Sequence, residues 1–109
     1  MKNFDLVYAN EVDRYIREHR ALLADIRERG EYEKGHWPGA VNLPYDKIME
    51  EAVGIPQNRP VLFYCEHGGG SMQLASRLGR EGYSVATVVG GYEAMKKFQK
   101  TYFKNGGNV

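Results

Sequence analysis

Val61-Leu62-Phe63-Tyr64-Cys65-Glu66-His67-Gly68-Gly69-Gly70-Ser71 is the stretch on which the fold of this chain turns. Four consecutive apolar residues, Val61 to Tyr64, read as a strand buried on both faces, the pattern of a parallel sheet. The run stops at the only cysteine of the chain and passes into three glycines. From Ser71 to Glu81 the spacing predicts a helix, with Met72, Ala75, Leu78 and Gly79 facing inward and Ser71 capping its start. A strand ending in a thiol, then a loop of backbone amides, then a helix N-terminus forms an anion-stabilising pocket. Such a pocket favours thiolate over thiol and holds an anionic sulfur or phosphorus group.

The flanking sequence repeats the alternation of strand and helix. Ala21-Leu22-Leu23-Ala24-Asp25-Ile26 and Val85-Ala86-Thr87-Val88-Val89 are two more buried-strand runs. Phe4 to Tyr8 reads as a short edge strand, and Val41-Asn42-Leu43 as a brief one that stops before Pro44. Asn10 is placed to cap a helix, with Asp13 in capping-box position and Val12, Tyr15, Ile16 and His19 on one face. Arg27 to Lys34 reads as one or two helical turns, and Gly35 to Ala40 as a turn. Tyr45 to Val53 is weakly amphipathic, with Ile48, Met49 and Ala52 on one side, and Gly54 to Pro60 is a loop. Ala75 and Gly79 are small enough for their helix to lie close to the sheet, and Gly82 ends it. Gly90-Gly91 starts a last helix whose stripe is Met95, Phe98 and Tyr102. The expected architecture is one α/β domain over residues 1–104, with a mostly parallel five-stranded sheet and helices on both faces. Residues 105–109 read as a frayed tail. In such sheets ligands bind beyond the carboxyl ends of the strands, where Cys65 falls.

Bulk composition narrows the function classes. The 109 residues fit one domain, and 42% apolar residues suffice for a core. A net charge of +1, from 15 basic and 14 acidic residues, leaves no electrostatic footprint for nucleic acid or an anionic membrane surface. A single cysteine excludes an internal disulfide and fits a reducing compartment. No apolar run is long enough to span a bilayer, and the N-terminus lacks a signal peptide's apolar core. The expectation is a cytoplasmic protein.

Two stretches together resemble the rhodanese-like domain family of sulfurtransferases. One is Asp25-Ile26-Arg27, then Glu31-Tyr32, then Gly35-His36-Trp37-Pro38-Gly39-Ala40-Val41-Asn42-Leu43-Pro44. The other is Tyr64 to Ser71, similar to the family's active loop, and Gly90-Gly91 adds a weaker match. The resemblance runs from Phe4 to Phe103. It implies a sulfurtransferase that moves sulfane sulfur, from thiosulfate or a persulfide, to a thiophilic acceptor through a Cys65 persulfide. The acceptor would be cyanide, a small thiol or a protein thiol. Glu66, His67, Gly68, Gly69, Gly70 and Ser71 would form the substrate loop, with Asp25, Arg27 and His36 in support, and no cofactor or metal. The chain departs from the pattern at Gly70, where many family members carry an arginine. The loop thus lacks a guanidinium to grip thiosulfate, and Arg59 and Arg77 are the cations left to supply charge from outside it.

The residues also leave other readings open. Free cysteine is commonly a buried, inert residue. Gly68, Gly69 and Gly70 permit positive φ and a close backbone approach, or form a merely flexible turn. They are no nucleotide-binding loop, because no Lys-Ser or Lys-Thr follows them. Three scattered histidines and one cysteine make no metal-ligand spacing. His67 either tunes the thiolate or faces solvent. Loss of the loop cation opens a second class, a binding or regulatory module with the fold but little turnover. A phosphatase or arsenate reductase of the cysteine-loop type is the third class, and Ser71 stands where such enzymes need arginine.

Overall fold

The computed structural model describes residues 3–51 and 54–104. Five strands, β1 (Asp5–Val7), β2 (Leu22–Asp25), β3 (Val41–Asn42), β4 (Val61–Tyr64) and β5 (Val85–Val88), form one sheet in the order β1-β5-β4-β2-β3. Every pairing is parallel. The helices are α1 (Val12–His19), α2 (Arg29–Lys34), α3 (Tyr45–Glu51), α4 (Gly69–Arg80) and α5 (Gly91–Lys104).

β4 lies at the centre of the sheet and is buried throughout, because its alternate side chains enter different cores. Leu62 and Tyr64 join Val12 of α1, Trp37 and Met95 of α5 on one face. Val61 and Phe63 join Ile48 of α3 and Leu74, Ala75 and Leu78 of α4 on the other. Burying a side chain of this size contributes about 1.5–3 kcal/mol. The register sets Asp25 of β2 against Tyr64 of β4, so both strands end on one rim.

Local differences from the sequence reading have physical causes. Asn10 does not cap α1. A 3-10 turn at Ala9–Glu11 comes first, closed by Tyr8 N–H donating to Glu11 Oε1 at 3.0 Å and Glu11 N–H to Tyr8 O at 2.8 Å. His19 shares the Tyr15 face as expected, its exposed ring tilted against that of Tyr15 at 4.3 Å. In α4 Ala75 and Leu78 face inward as expected and Leu74 joins them, while Met72 is 40% exposed at the edge of that face. The helix begins at Gly69, so Ser71 is inside the first turn, with Gly68 as the cap. Gly79 packs closely on Asn3, whose backbone a Cβ there would meet first. The expected roles of Ala52, Val53, the Tyr102 side chain and the tail at 105–109 lie outside the described residues.

Candidate active site

The end of β4 and the turn at Gly68 place the cysteine. β4 delivers Cys65 to the carboxyl rim, half-buried, and Gly68 turns the chain at φ 104°, a conformation that suits glycine. A Cβ at position 68 would also meet Gly90 N at 3.0 Å. Gly69 and Gly70 have no such requirement, since they form the first turn of α4. The turn aims amides back at sulfur: Gly68 N–H donates to Cys65 Sγ at 3.0 Å and Ser71 N–H at 3.4 Å. These bonds and the α4 N-terminus suit negative charge on sulfur.

Behind the sulfur lies a pair of buried hydroxyls. As a thiol, Cys65 donates to Ser71 Oγ at 3.6 Å, and Ser71 Oγ donates to Gly68 O at 3.2 Å. Thr87 Oγ1 of β5 donates to Ser71 Oγ at 2.7 Å, and both residues are fully buried. The sequence reading missed Thr87; its one signal was a hydroxyl inside the otherwise apolar run 85–89. α5 fixes the loop from the other side. Tyr92 N–H donates to Cys65 O at 2.8 Å and Glu93 N–H to Glu66 O at 3.1 Å.

Asp25 and Arg27 form the rim beside the loop. The Asp25 carboxylate is fully buried and accepts from Arg27 N–H at 2.9 Å, Nε at 3.1 Å and Nη2 at 2.8 Å. Arg27 Nη2 also donates to Gly35 O, and Nη1 donates to Glu66 Oε1 at 3.1 Å. Burial pulls the Arg27 guanidinium down, but its bonds to Asp25 and Glu66 outweigh that and hold it above its ordinary value. Tyr64 completes the brace: Trp37 N–H donates to its hydroxyl at 3.0 Å. Burial raises the Tyr64 phenol, with the neighbouring Asp25 carboxylate adding to the rise.

The other expected residues divide. Glu66 and His67 flank the sulfur, and His67 is exposed with Nδ1 3.2 Å from Glu93 Oε2. His36 is not brought to the cysteine. Its ring stacks on Tyr32 at 3.7 Å and bonds Tyr32 O, bracing the turn after α2. Arg59 donates to Arg20 O at the opposite end of the sheet, and Arg77 is tied to Met49 O and Glu81. A cleft of about 510 Å³ opens over Cys65, lined by Ile26, Tyr45, Glu66, His67, Gly69, Gly70 and Gln73. None of these is lysine or arginine. Among the described residues no group of three His, Cys, Asp or Glu side chains could hold a metal, and no helix is long and apolar enough to cross a membrane.

The chain is similar to known proteins in sequence and fold. The chain is 31% identical, over 79% of its length and 81% of the other, to the thiosulfate sulfurtransferase GlpE of Coxiella burnetii. It superposes on reduced Bacillus anthracis CoADR-RHD with a TM-score of 0.77 and 28% identity, covering 85% of this chain and only 16% of that longer one. The fold also matches a rhodanese-related protein of Thermoplasma volcanium, with a TM-score of 0.78, 20% identity and coverage of 86% and 92%. A family model for the rhodanese-like domain matches residues 8–98, and the chain belongs to that family.

Proposed function

We propose that this protein is a sulfurtransferase that carries sulfane sulfur as a persulfide on Cys65. The observation that carries this reading is the bonding of Sγ by the Gly68 and Ser71 amides at the carboxyl end of β4. The thiolate attacks the outer sulfur of a donor and bonds it, while the remainder of the donor leaves with the electron pair of the broken bond. The two amides and the α4 N-terminus offset the charge of the resulting Cys65-S-S⁻. A thiophilic acceptor, cyanide or a thiol, then removes the outer sulfur, so ping-pong kinetics are expected.

The donor follows from the cleft. Thiosulfate is a dianion, and the residues lining the Cys65 cleft include Glu66 but no lysine or arginine. A persulfide or polysulfide donor, which needs no oxyanion clamp, suits it better. Mass spectrometry after incubation with polysulfide tests the reading. An adduct of about 32 Da, absent in Cys65→Ser, is the expected result. No adduct, or one that persists without Cys65, rejects it.

The absence of lysine and arginine from the cleft favours one second reading, a binding or regulatory module of the same fold. Negligible sulfur transfer from thiosulfate, polysulfide and small persulfides alike would select it.

A further inference from the structure

A second cleft, about 620 Å³, adjoins the first and is lined by Arg27, Glu31, Lys34, Gly35, Glu66, Tyr92 and Lys96. Glu66 is the residue common to both clefts. The two differ in charge. Three cations line the second cleft against two carboxylates, whereas the cysteine's cleft has no lysine or arginine.

We propose that this second cleft is the acceptor site, and that it takes a small thiol bearing carboxylate groups; the proposal rests on the persulfide reading of Cys65. Arg27 shows what the cleft binds. Its Nε and Nη2 are committed to Asp25 and Gly35 O, which leaves Nη1 as the nitrogen bonded to the movable side chain of Glu66. That nitrogen already holds a carboxylate, from Glu66, whose side chain is 40% exposed. Glu66 is thus a tethered stand-in that a ligand carboxylate can displace. The guanidinium is kept rigid by its bonds to Asp25 and by Tyr92, whose ring centre is 4.3 Å from Cζ. Lys96 Nζ lies 4.9 Å from the same ring centre, and Lys34 is exposed, its ammonium 3.8 Å from Glu31. A second ligand carboxylate has those ammonium groups to meet. Glu66 directly follows Cys65 and lines both clefts, which joins the second cleft to the one that holds the sulfur.

The transfer balances without an outside oxidant or reductant. The acceptor thiol gives its proton to solvent, and its thiolate attacks the outer sulfur of Cys65-S-S⁻. The bond from Sγ to that sulfur breaks with its electron pair passing to Sγ. The products are the acceptor persulfide anion and the Cys65 thiolate.

Competition between two acceptors tests the assignment. The persulfidated protein is assayed with mercaptosuccinate, a dicarboxylate thiol, and with neutral 2-mercaptoethanol, and the ratio of their kcat/KM values is compared among variants. In Lys34→Gln/Lys96→Gln the ratio should fall about fivefold, and in Glu66→Gln it should rise by a similar factor. A ratio that moves in none of these variants overturns the proposal. Should no persulfide form at all, the function proposed above fails, and the cleft is tested separately. Titration of S-methylmercaptosuccinate into Cys65→Ser should then show saturable binding weakened by the double lysine change. No binding there overturns the acceptor site independently.

Discussion

Thr87 Oγ1 donates a 2.7 Å hydrogen bond to Ser71 Oγ, joining the centre of β5 to the turn that cradles Cys65. Both side chains are fully buried, so the bond forms without competition from water. Thr87→Val keeps the shape and removes the donor, at an expected cost of about 1 kcal/mol in denaturant unfolding. The same change should alter the rate of Cys65 alkylation by iodoacetamide, and Thr87→Ser should restore it. If valine and serine alkylate alike, the hydroxyl pair serves packing alone.

Position 70 is open to a side chain. A Cβ there would lie 3.9 Å from Cys65 Sγ and 3.9 Å from the Tyr45 ring, ordinary contact distances. Gly70→Arg should therefore fold and place a guanidinium beside the sulfur, lowering the KM for thiosulfate about tenfold. Steady-state kinetics measure it. An unchanged KM in a folded variant would show that the missing cation does not limit this donor.

Gly91 admits no such change. Its φ is 66°, and a Cβ would stand 2.5 Å from Cys65 O and 2.7 Å from Glu66 O, where the first turn of α5 holds the loop. Gly91→Ala should destabilise the fold by about 3 kcal/mol, from left-handed strain and overpacking together. Thermal melting checks it, and a loss below about 1 kcal/mol would mean that α5 shifts without resistance.

Arg27 is the counter-charge of a fully buried carboxylate. Arg27→Met leaves Asp25 buried without its partner and should cost about 3–5 kcal/mol. The double variant Arg27→Met/Asp25→Asn should recover part of that loss, which chemical denaturation can read.

Burial raises the Tyr64 phenol, and it raises that of Tyr15, beside Asp5, as well. Above the ordinary value of 10.0 the unfolded chain releases these protons while the folded chain keeps them. Stability from both groups is therefore complete below that pH and declines as pH rises past it. The slope is up to about 1.4 kcal/mol per pH unit for each tyrosine. Tyr64→Phe should flatten the decline in unfolding experiments between neutral and alkaline pH, though it also leaves Trp37 N–H without its acceptor.

The local order of elements was legible in the sequence because its signals are local. Apolar runs at Leu22, Val61 and Val85, the last interrupted by Thr87, mark strands buried on both faces, and their spacing implies helical crossovers, hence a parallel sheet. Cys65 at the end of such a run, before Gly68, announced the site for the same reason. Helix registers were less secure. In α4 Leu74 is buried and Met72 is not, because the buried face of Ser71, Leu74, Ala75 and Leu78 excludes position 72, and apolar character alone did not rank the two. Tertiary structure alone decided what surrounds the sulfur. Thr87 is 16 positions from Ser71 and Arg27 is 39 from Glu66, contacts that exist only because β5, β4 and β2 lie side by side in the sheet. Arg59 and Arg77 looked available for the loop, yet one bonds the opposite end of the sheet and the other α3. Cys65 was thus placed by its own neighbours in the chain. The charges and hydroxyls that act on it were placed by strand order and register, which no local pattern encodes.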